Sequence, residues 1–147
     1  MLVSSKGEYG ARALIDLALH YGQGPIQTRD IAGRQDIPEL YLNQLLITLR
    51  KAGLVTSRRG PQGGHALARP PAQINMAEAI IALEGSTAPA ACVDERTTDE
   101  CRLAGRCTLR RVWQQVKQAT DAVLQSTTLE DLRRRQKEME ERVMYYI

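Results

Sequence analysis

The segment from Arg58 to His65 constrains the fold of this chain more than any other feature. Three of its eight residues are glycines, one is a proline and two are arginines. Strand-like runs at residues 54–57 and 65–69 flank it, so the pattern predicts a β-hairpin with a positively charged, glycine-rich tip. Such a tip approaches a nucleic acid backbone easily, yet basic hairpins also occur on surfaces that bind nothing. Its meaning therefore depends on the elements before it.

Three helical patterns precede the hairpin. The first covers residues 6–21 and is ended by the glycines and proline of residues 22–25; its apolar face comprises Tyr9, Leu14, Leu17, Ala18 and Tyr21. Thr28 is predicted to cap a short second helix that ends near Gln35, with Ile31 and Ala32 facing inward. Asp36 and Ile37 form the turn that follows.

The third helical pattern is the best defined. Pro38 suits its first turn, Gly53 ends it, and its apolar residues recur at i, i+3, i+4 and i+7 as Leu42, Leu45, Leu46 and Leu49. Helix, helix, turn, helix and hairpin is the order of a winged helix-turn-helix, which we predict for residues 1–71. The predicted fold class is mainly α with a small β-hairpin wing and a long dimerisation helix.

The remaining chain is predicted to divide in two after Pro70-Pro71. Residues 72–107 form a connecting helix, opened by an Asn75/Glu78 capping box and ended at Gly85, and then a cysteine loop. Residues 108–147 form a long helix, which Thr108 is expected to cap, and a C-terminal helix from Thr128. One apolar stripe runs along the long helix: Leu109, Val112, Trp113, Val116, Ala119, Thr120 and Val123. Its length predicts a partner helix from a second subunit, with a core stripe inside one chain as the alternative.

Charge is uneven along the chain. Residues 1–71 carry nine Lys and Arg against five Asp and Glu, whereas residues 72–147 carry eleven against twelve. A basic N-terminal half suits a module that faces phosphate, although the bias is modest. No apolar run approaches the roughly 18 residues of a membrane span, and no signal segment opens the sequence. We therefore expect a cytoplasmic protein without a membrane partner.

The third helix and the hairpin supply the candidate DNA contacts. The start of a recognition helix enters the major groove, where Asn and Gln bond adenine edges and Glu accepts from cytosine. Ordinary exposed polar residues would look the same at these positions. The candidates are Glu39, Tyr41, Asn43, Gln44, Arg50 and Lys51 on the helix, and Arg58, Arg59, Gly63 and Gly64 on the hairpin.

Cys92, Cys101 and Cys107 form the second constellation. Their gaps of eight and five residues differ from the tight pairs of zinc ribbons and ferredoxins. Three thiols in a reducing compartment are poorly explained by disulfides, so metal binding, thiol chemistry and simple burial remain open. Four arginines lie near the second and third cysteines, and Cys107 stands just before a helix. Both features favour thiolate and an anionic cluster.

These motifs resemble the Rrf2 family of bacterial transcription regulators, which includes the iron–sulfur assembly regulator and the nitric-oxide-sensing repressor. The resemblance rests on residues 4–9, Tyr41-Leu42, residues 49–55, the wing motif of residues 59–64, residues 67–71, the cysteine loop and residues 128–132. It implies a homodimer in which the long helix after Cys107 crosses its mate. Each subunit would present one winged helix to half of a pseudo-palindromic double-stranded DNA operator.

The resemblance also implies an iron–sulfur cluster on Cys92, Cys101 and Cys107. The iron–sulfur assembly regulator has a histidine ligand three residues after the last cysteine, where this chain has Arg110, which is not an ordinary ligand. Some relatives use an acidic residue near the start of helix one, donated by the opposite subunit. Glu8 matches that position, and it also suits a plain first-turn carboxylate favoured by the helix dipole.

The sequence thus predicts a dimeric DNA-binding regulator, not an enzyme, whose operator affinity follows a cluster that senses redox state, iron–sulfur status or nitric oxide. A two-iron cluster is favoured over a four-iron one. The alternative is a cluster-free regulator of the same fold, controlled by docking to a metabolic enzyme or by thiol oxidation. A zinc hydrolase fits poorly, because no histidine-rich ligand set or adjacent base is evident.

Overall fold

A computed structural model of the protein describes residues 3–97 and 101–146. Its helices and strands, in chain order, are α1 (Ser5–Leu19), α2 (Thr28–Gln35), α3 (Glu39–Lys51), β1 (Val55–Arg58), β2 (Gly64–Leu67), α4 (Met76–Glu84), α5 (Thr108–Ser126) and α6 (Leu129–Tyr145). Single 3-10 turns lie at Pro71–Gln73 and Ala91–Val93. The order confirms the predicted winged helix-turn-helix followed by a long helix. No helix in this described part of the chain is both long enough and apolar enough to cross a membrane.

One hydrophobic core unites α1, α2 and α3 with the wing and α4. The leucine stripe of α3 supplies its centre, and Leu14 of α1, Ile31 of α2, Leu54 and Ile74 are equally inaccessible to solvent. Leu129, at the start of α6, also belongs to it. The core therefore fixes the orientation of α3 relative to α1, α2, the wing and α4. We call this unit, from α1 to α4, the head.

A buried carboxylate fastens α2 to α1. Asp16 of α1 is completely inaccessible and accepts two hydrogen bonds from the Arg34 guanidinium, at 2.9 and 2.8 Å. Gln35 Nε2 donates a third at 3.2 Å. A buried charge is tolerated only when its oxygens are paired in this way. The angle between the first two helices is thereby set by a polar clamp as well as by apolar packing.

The helix-turn-helix differs from prediction at the start of α2. The turn at Asp36 is confirmed: its backbone adopts the left-handed conformation, with φ of 52°, which Asp tolerates better than most residues. The predicted Thr28 cap is wrong, because Thr28 is the first helical residue and Gln27 is the N-cap, without a side-chain capping bond. The Thr28 hydroxyl instead meets the His65 ring.

The wing is an antiparallel hairpin that pairs Val55 with Leu67 and Arg58 with Gly64. Both strands lie one to two residues from the predicted bounds. Val55 and Leu67 face the core, so the base of the hairpin is fixed while its tip projects. Gly64, at φ of 144°, lies so close to Ile26 that an added Cβ would stand 2.5 Å from its backbone.

α4 packs on α1 at a glycine. A Cβ on Gly10 would lie 2.5 Å from the methyl carbons of Leu83, so any larger residue there would force Leu83 to move. The predicted capping box of Asn75 and Glu78 is confirmed, as is the end of the helix at Gly85. A second capping box, Thr128 with Asp131, opens α6 beside it, and an isolated bridge pairs Asn75 with Thr128. These contacts tie the end of α5 to the head.

α5 lies outside the core. None of its 19 residues is buried in the single chain, although α4 and the Ala91–Val93 turn pack against one side. Thr108 does not cap it, contrary to prediction: Cys107 is the N-cap, without a side-chain capping bond. On the apolar stripe, the exposed fractions of Leu109, Val112 and Val123 are 59%, 46% and 64%. Trp113, Val116 and Thr120 of the same stripe are half-buried, so the single chain covers the stripe only in part.

Candidate DNA interface and cysteine loop

The outer face of α3 presents the predicted base-reading residues. Glu39, Asn43 and Gln44 are all exposed, because the leucine stripe holds the opposite face of the helix in the core. Asn43 and Gln44 lie one turn into the helix, where side chains of a recognition helix meet base edges. The core packing thus leaves amide groups available for bidentate bonds to bases.

Tyr41 has a different setting from its neighbours. Its ring is half-buried and meets the Tyr9 ring edge-on, with centroids 5.9 Å apart. The Arg12 guanidinium stacks over the Tyr9 ring, 4.8 Å from its centroid. It also donates a hydrogen bond to the Gln35 carbonyl at 3.0 Å. Packing between α1 and α3 therefore accounts for the position of Tyr41, and its contact with DNA stays a prediction.

Two exposed apolar residues on α3 were missed by sequence reasoning. Leu40 is 82% exposed and Ile47 is 45% exposed, on the same face as Asn43 and Gln44. An apolar side chain in the major groove contacts the thymine methyl group. Their exposure could have been predicted from the sequence, because both residues lie outside the leucine stripe that faces the core.

The wing tip and the end of α3 carry positive charge. Arg58 and Arg59 are exposed, as are Arg50 and Lys51 at the end of α3. Among residues 3–97 and 101–146, no carboxylate forms an ion pair with any of the four. Gly63 has its Cα against the Arg58 backbone, where a Cβ would overlap it. The tip is thus compact and cationic, which suits phosphate or a narrow groove.

The three cysteines occupy different settings in one loop. Cys92 is half-buried in the Ala91–Val93 turn, Cys101 is exposed and Cys107 is half-buried at the N-cap of α5. The placement of Cys107 before a helix is confirmed. Turns at Cys101–Ala104 and Leu103–Arg106 form the loop between the last two thiols. All three thiols are free.

Arg110 connects the two arms of this loop. From the first turn of α5, its Nε donates to the Cys92 carbonyl at 3.2 Å and its Nη1 donates to the Ala104 carbonyl at 3.3 Å. The guanidinium therefore links the segment before Cys101 to the segment after it. Arg110 has a structural role at the position where the resemblance would have placed a histidine ligand.

A polar network joins the start of the loop to the middle of α5. Asp121 accepts a hydrogen bond from Thr87 at 2.5 Å and one from Lys117 at 2.7 Å. Burial raises the pKa of Asp121, but these two bonds and the ammonium charge outweigh it, so the pKa falls below its usual value. Glu95 lies 3.9 Å from the same ammonium. Charged and polar contacts therefore join the loop to α5.

The described residues contain no ready-made metal site. Across residues 3–97 and 101–146, no three side chains of His, Cys, Asp or Glu are close enough together to hold an ion. Glu8 is 64% exposed and lies 3.6 Å from Arg12 on its own helix. Three thiols among guanidinium groups fit an iron–sulfur cluster chemically. The geometry of the single chain does not gather them, so the donor set fits only in part.

Comparison with known proteins supplies independent findings. The model of the Rrf2 family, described as iron-dependent transcriptional regulators, matches residues 3–135. The regulator CymR of Bacillus subtilis is 37% identical over 147 residues, covering all of both chains. The regulator IscR of Photorhabdus laumondii is 38% identical over 132 residues, which is 90% of this chain and 79% of IscR.

Solved structures agree with the sequence matches. T. potens IscR superposes with a TM-score of 0.77 at 40% identity, covering 95% of this chain and 90% of that one. CymR, described as the global cysteine regulator of B. subtilis, superposes with a TM-score of 0.74 at 38% identity, covering 90% and 96%. The two superpositions show that the chain has the winged-helix fold of these Rrf2 structures.

Proposed function

The chain belongs to the Rrf2 family of DNA-binding transcription regulators, and from that premise we propose that it is a homodimer whose operator affinity follows the state of its cysteine loop. The exposed apolar stripe of α5 carries the proposal. Leu109, Val112 and Val123 are between 46% and 64% exposed in the single chain, on the helix that follows the loop. A second α5 packed on this stripe would bury it and bring two loops near one interface.

Each subunit would then read half of a pseudo-palindromic operator. Asn43 and Gln44 supply amide groups for base edges, and Arg58 and Arg59 supply charge for the backbone or minor groove. Arg50, Lys51, Glu39, Gly63 and Gly64 complete the predicted contact surface. Because the core fixes α3 in the head, the separation of the two recognition helices depends on how the two α5 helices meet.

The proposed loop ligand is an iron–sulfur cluster, with the two-iron form favoured. Cys92, Cys101 and Cys107 would hold it through thiolates, and Glu8 of the opposite subunit is the proposed fourth ligand. When bound, the cluster would supply iron that responds to redox state or nitric oxide. Gathering the thiols requires the loop to rearrange, which alters the Arg110 bonds and the Thr87–Asp121–Lys117 network. That rearrangement is the proposed route from cofactor to α5.

The cluster-free alternative keeps the dimer and replaces the cofactor with thiol oxidation or docking to a metabolic enzyme. Two observations favour it: the thiols are not gathered in the described single chain, and CymR, a cysteine regulator, matches the whole chain. Iron content separates the two, because an oxidised or docked regulator needs no iron.

The test is anaerobic purification followed by a visible spectrum and assays of iron and sulfide. We expect a coloured protein with near-equal iron and sulfide, and loss of both in Cys92→Ser, Cys101→Ser and Cys107→Ser. Ser86→Ala, outside the thiol set, is the matched control and should keep the cofactor. Colourless, iron-free wild type would favour thiol or docking control. Full iron in each cysteine variant would remove those cysteines from the proposed site.

A Glu8→Ala variant tests the fourth ligand separately. If Glu8 binds the cluster across the dimer, the variant should keep its three thiolates but give an altered spectrum and faster cluster loss. Arg12→Ala is the control, because it removes the ion partner of Glu8 and leaves the carboxylate. An unchanged spectrum and cluster lifetime in Glu8→Ala would reject this ligand and leave Glu8 as a first-turn carboxylate.

A further inference from the structure

His65 contacts three elements at the base of the wing. It belongs to β2, and its Nδ1 lies 2.7 Å from the hydroxyl of Ser57, its cross-strand partner on β1. Its Nε2 lies 3.0 Å from the hydroxyl of Thr28, the first residue of α2. One imidazole therefore joins both strands of the wing to the first helix of the helix-turn-helix.

We propose that His65 is a positioning residue that holds the wing at a fixed angle to α2, and thereby to the recognition helix. The inference rests on the proposed contact between the wing tip and DNA. Affinity for the operator would then depend on a side chain that never touches DNA, because a wing that swings away loses its contacts with the duplex.

Backbone contacts join the wing to the segment before α2 at His65 itself. The Ile26 and His65 backbones exchange two hydrogen bonds, at 2.8 and 2.7 Å, beside the close approach of Gly64. Nearer the tip, Gln27 Nε2 donates to the Pro61 carbonyl at 3.1 Å, on the surface. The half-buried ring of His65 lies between these points. Together with the Gln27–Pro61 bond, its two hydrogen bonds resist rotation of the hairpin about the Ile26 pair.

The surroundings favour a neutral ring. Burial lowers the pKa of His65 below its ordinary 6.5, and the positive charge of Arg50 on α3 lowers it further. Arg58 of β1 and, beyond the end of α1, His20 and Tyr21 line the same cleft, and no carboxylate of the described residues does. A neutral imidazole has one donor and one acceptor, and each hydroxyl serves as either. Both hydrogen bonds therefore form without a charge.

A double-mutant cycle tests the clamp through DNA binding. The probe is a duplex selected from a random library by the wild-type protein, measured at pH 7.5 and constant salt. Thr28→Val removes the hydroxyl and keeps the shape, and we expect about 3- to 10-fold weaker binding, the range for one lost hydrogen bond. His65→Ala should lose at least as much. The double variant should be no weaker than His65→Ala, and Thr28→Ser should bind like wild type.

Independent losses that multiply in the double variant, or wild-type binding by Thr28→Val, would overturn the clamp. Arg59→Ala reports separately on the wing contact: if it leaves affinity unchanged, the proposed DNA surface fails instead. Amide hydrogen exchange without DNA then still decides the clamp. His65→Ala should speed exchange at residues 56–66 while α1 and α3 keep their protection, and unchanged exchange in the wing would reject the proposal.

Discussion

The head and the half of the molecule that contains the cysteine loop and α5 are stabilised by different interactions. In the head, four leucines of α3 are at most 1% exposed and α1, α2, α4 and the wing close around them. In α5, no residue is buried: α4 and the Ala91–Val93 turn pack against one side, and Lys117, Asp121 and Arg110 add polar contacts. The head therefore carries its own stability, whereas the shape of the other half depends on what binds it.

This difference suits a regulator. A rigid head keeps the spacing of its own base-reading residues constant. A loop and helix with few buried contacts change shape at low free-energy cost when a cofactor or a partner helix is added. We therefore expect substitutions in the head to alter stability and substitutions in the other half to alter assembly and response.

The largest effect should come from the centre of the head. Leu45→Ala removes a side chain that is 1% exposed, and we expect the free energy of unfolding to fall by about 2–5 kcal/mol in urea titrations. Leu40→Ala, on the same helix but 82% exposed, is the matched control and should change it by less than about 0.5 kcal/mol. Equal losses in the two variants would contradict the division between core and outer face.

The next largest effect should be on dimerisation, which we expect a substitution in α5 to weaken without unfolding the head. Val112→Asp places a charge on the exposed stripe of α5, and burial of that charge in a dimer should weaken association on the order of 100-fold. Sedimentation measures the dissociation constant, and far-ultraviolet circular dichroism should show an intact head. Gln118→Asp, on the opposite face of α5, should remain a dimer. An unaffected dimer in Val112→Asp would remove the stripe from the interface.

A smaller effect concerns how the head holds DNA. Arg59→Ala should weaken binding to all sequences alike and lower the slope of log affinity against log salt by about one, because one phosphate contact is lost. Asn43→Ala should instead lose discrimination at one base pair and keep the slope. Fluorescence anisotropy over a salt series distinguishes them. A wild-type slope in Arg59→Ala would take the wing tip off the duplex.

The smallest effect is a pH dependence centred on His65. Its pKa in the folded protein is lower than its unfolded value of 6.5, so the folded state binds fewer protons. The contribution of the neutral His65 ring to the free energy of unfolding is therefore complete above pH 6.5 and decreases as the pH falls below that value. Thermal unfolding of wild type should therefore weaken between pH 7 and pH 5 more than that of His65→Gln. Thr28→Val, which keeps the ring, should follow wild type, and identical slopes in wild type and His65→Gln would refute the assignment.

Much of the head could be predicted from local signals. Three local patterns predict elements that the structure contains: the leucine period in α3, the glycines of the wing and the Asn75/Glu78 capping box. The two capping errors have different origins. The Thr28 hydroxyl meets His65, 37 residues away, and no local pattern encodes that partner. At Thr108 the helix begins one residue earlier than predicted, so that the neighbouring Cys107 is the N-cap.

The candidate site was harder to predict for the same reason. Exposure of Leu40 follows from the register of the stripe, but the edge contact between Tyr41 and Tyr9 depends on packing between α1 and α3. Arg110 stands at an expected ligand position, and only the folded loop reveals its bonds to the Cys92 and Ala104 carbonyls. Cysteine spacing predicts ligand chemistry, while the proposed gathering of the thiols would depend on assembly and metal, which the sequence of one chain does not specify.

The central claim, that the cysteine loop controls the head, is tested most directly by operator affinity in two cofactor states. Affinity for the selected duplex would be measured anaerobically at fixed salt, before and after a chelator removes the iron. The account predicts a 5- to 150-fold change for wild type, corresponding to a coupling of about 1–3 kcal/mol. Cys101→Ser should bind the duplex with the same affinity before and after treatment with the chelator. Equal affinities of the two wild-type forms, or wild-type protein isolated without iron, would contradict it.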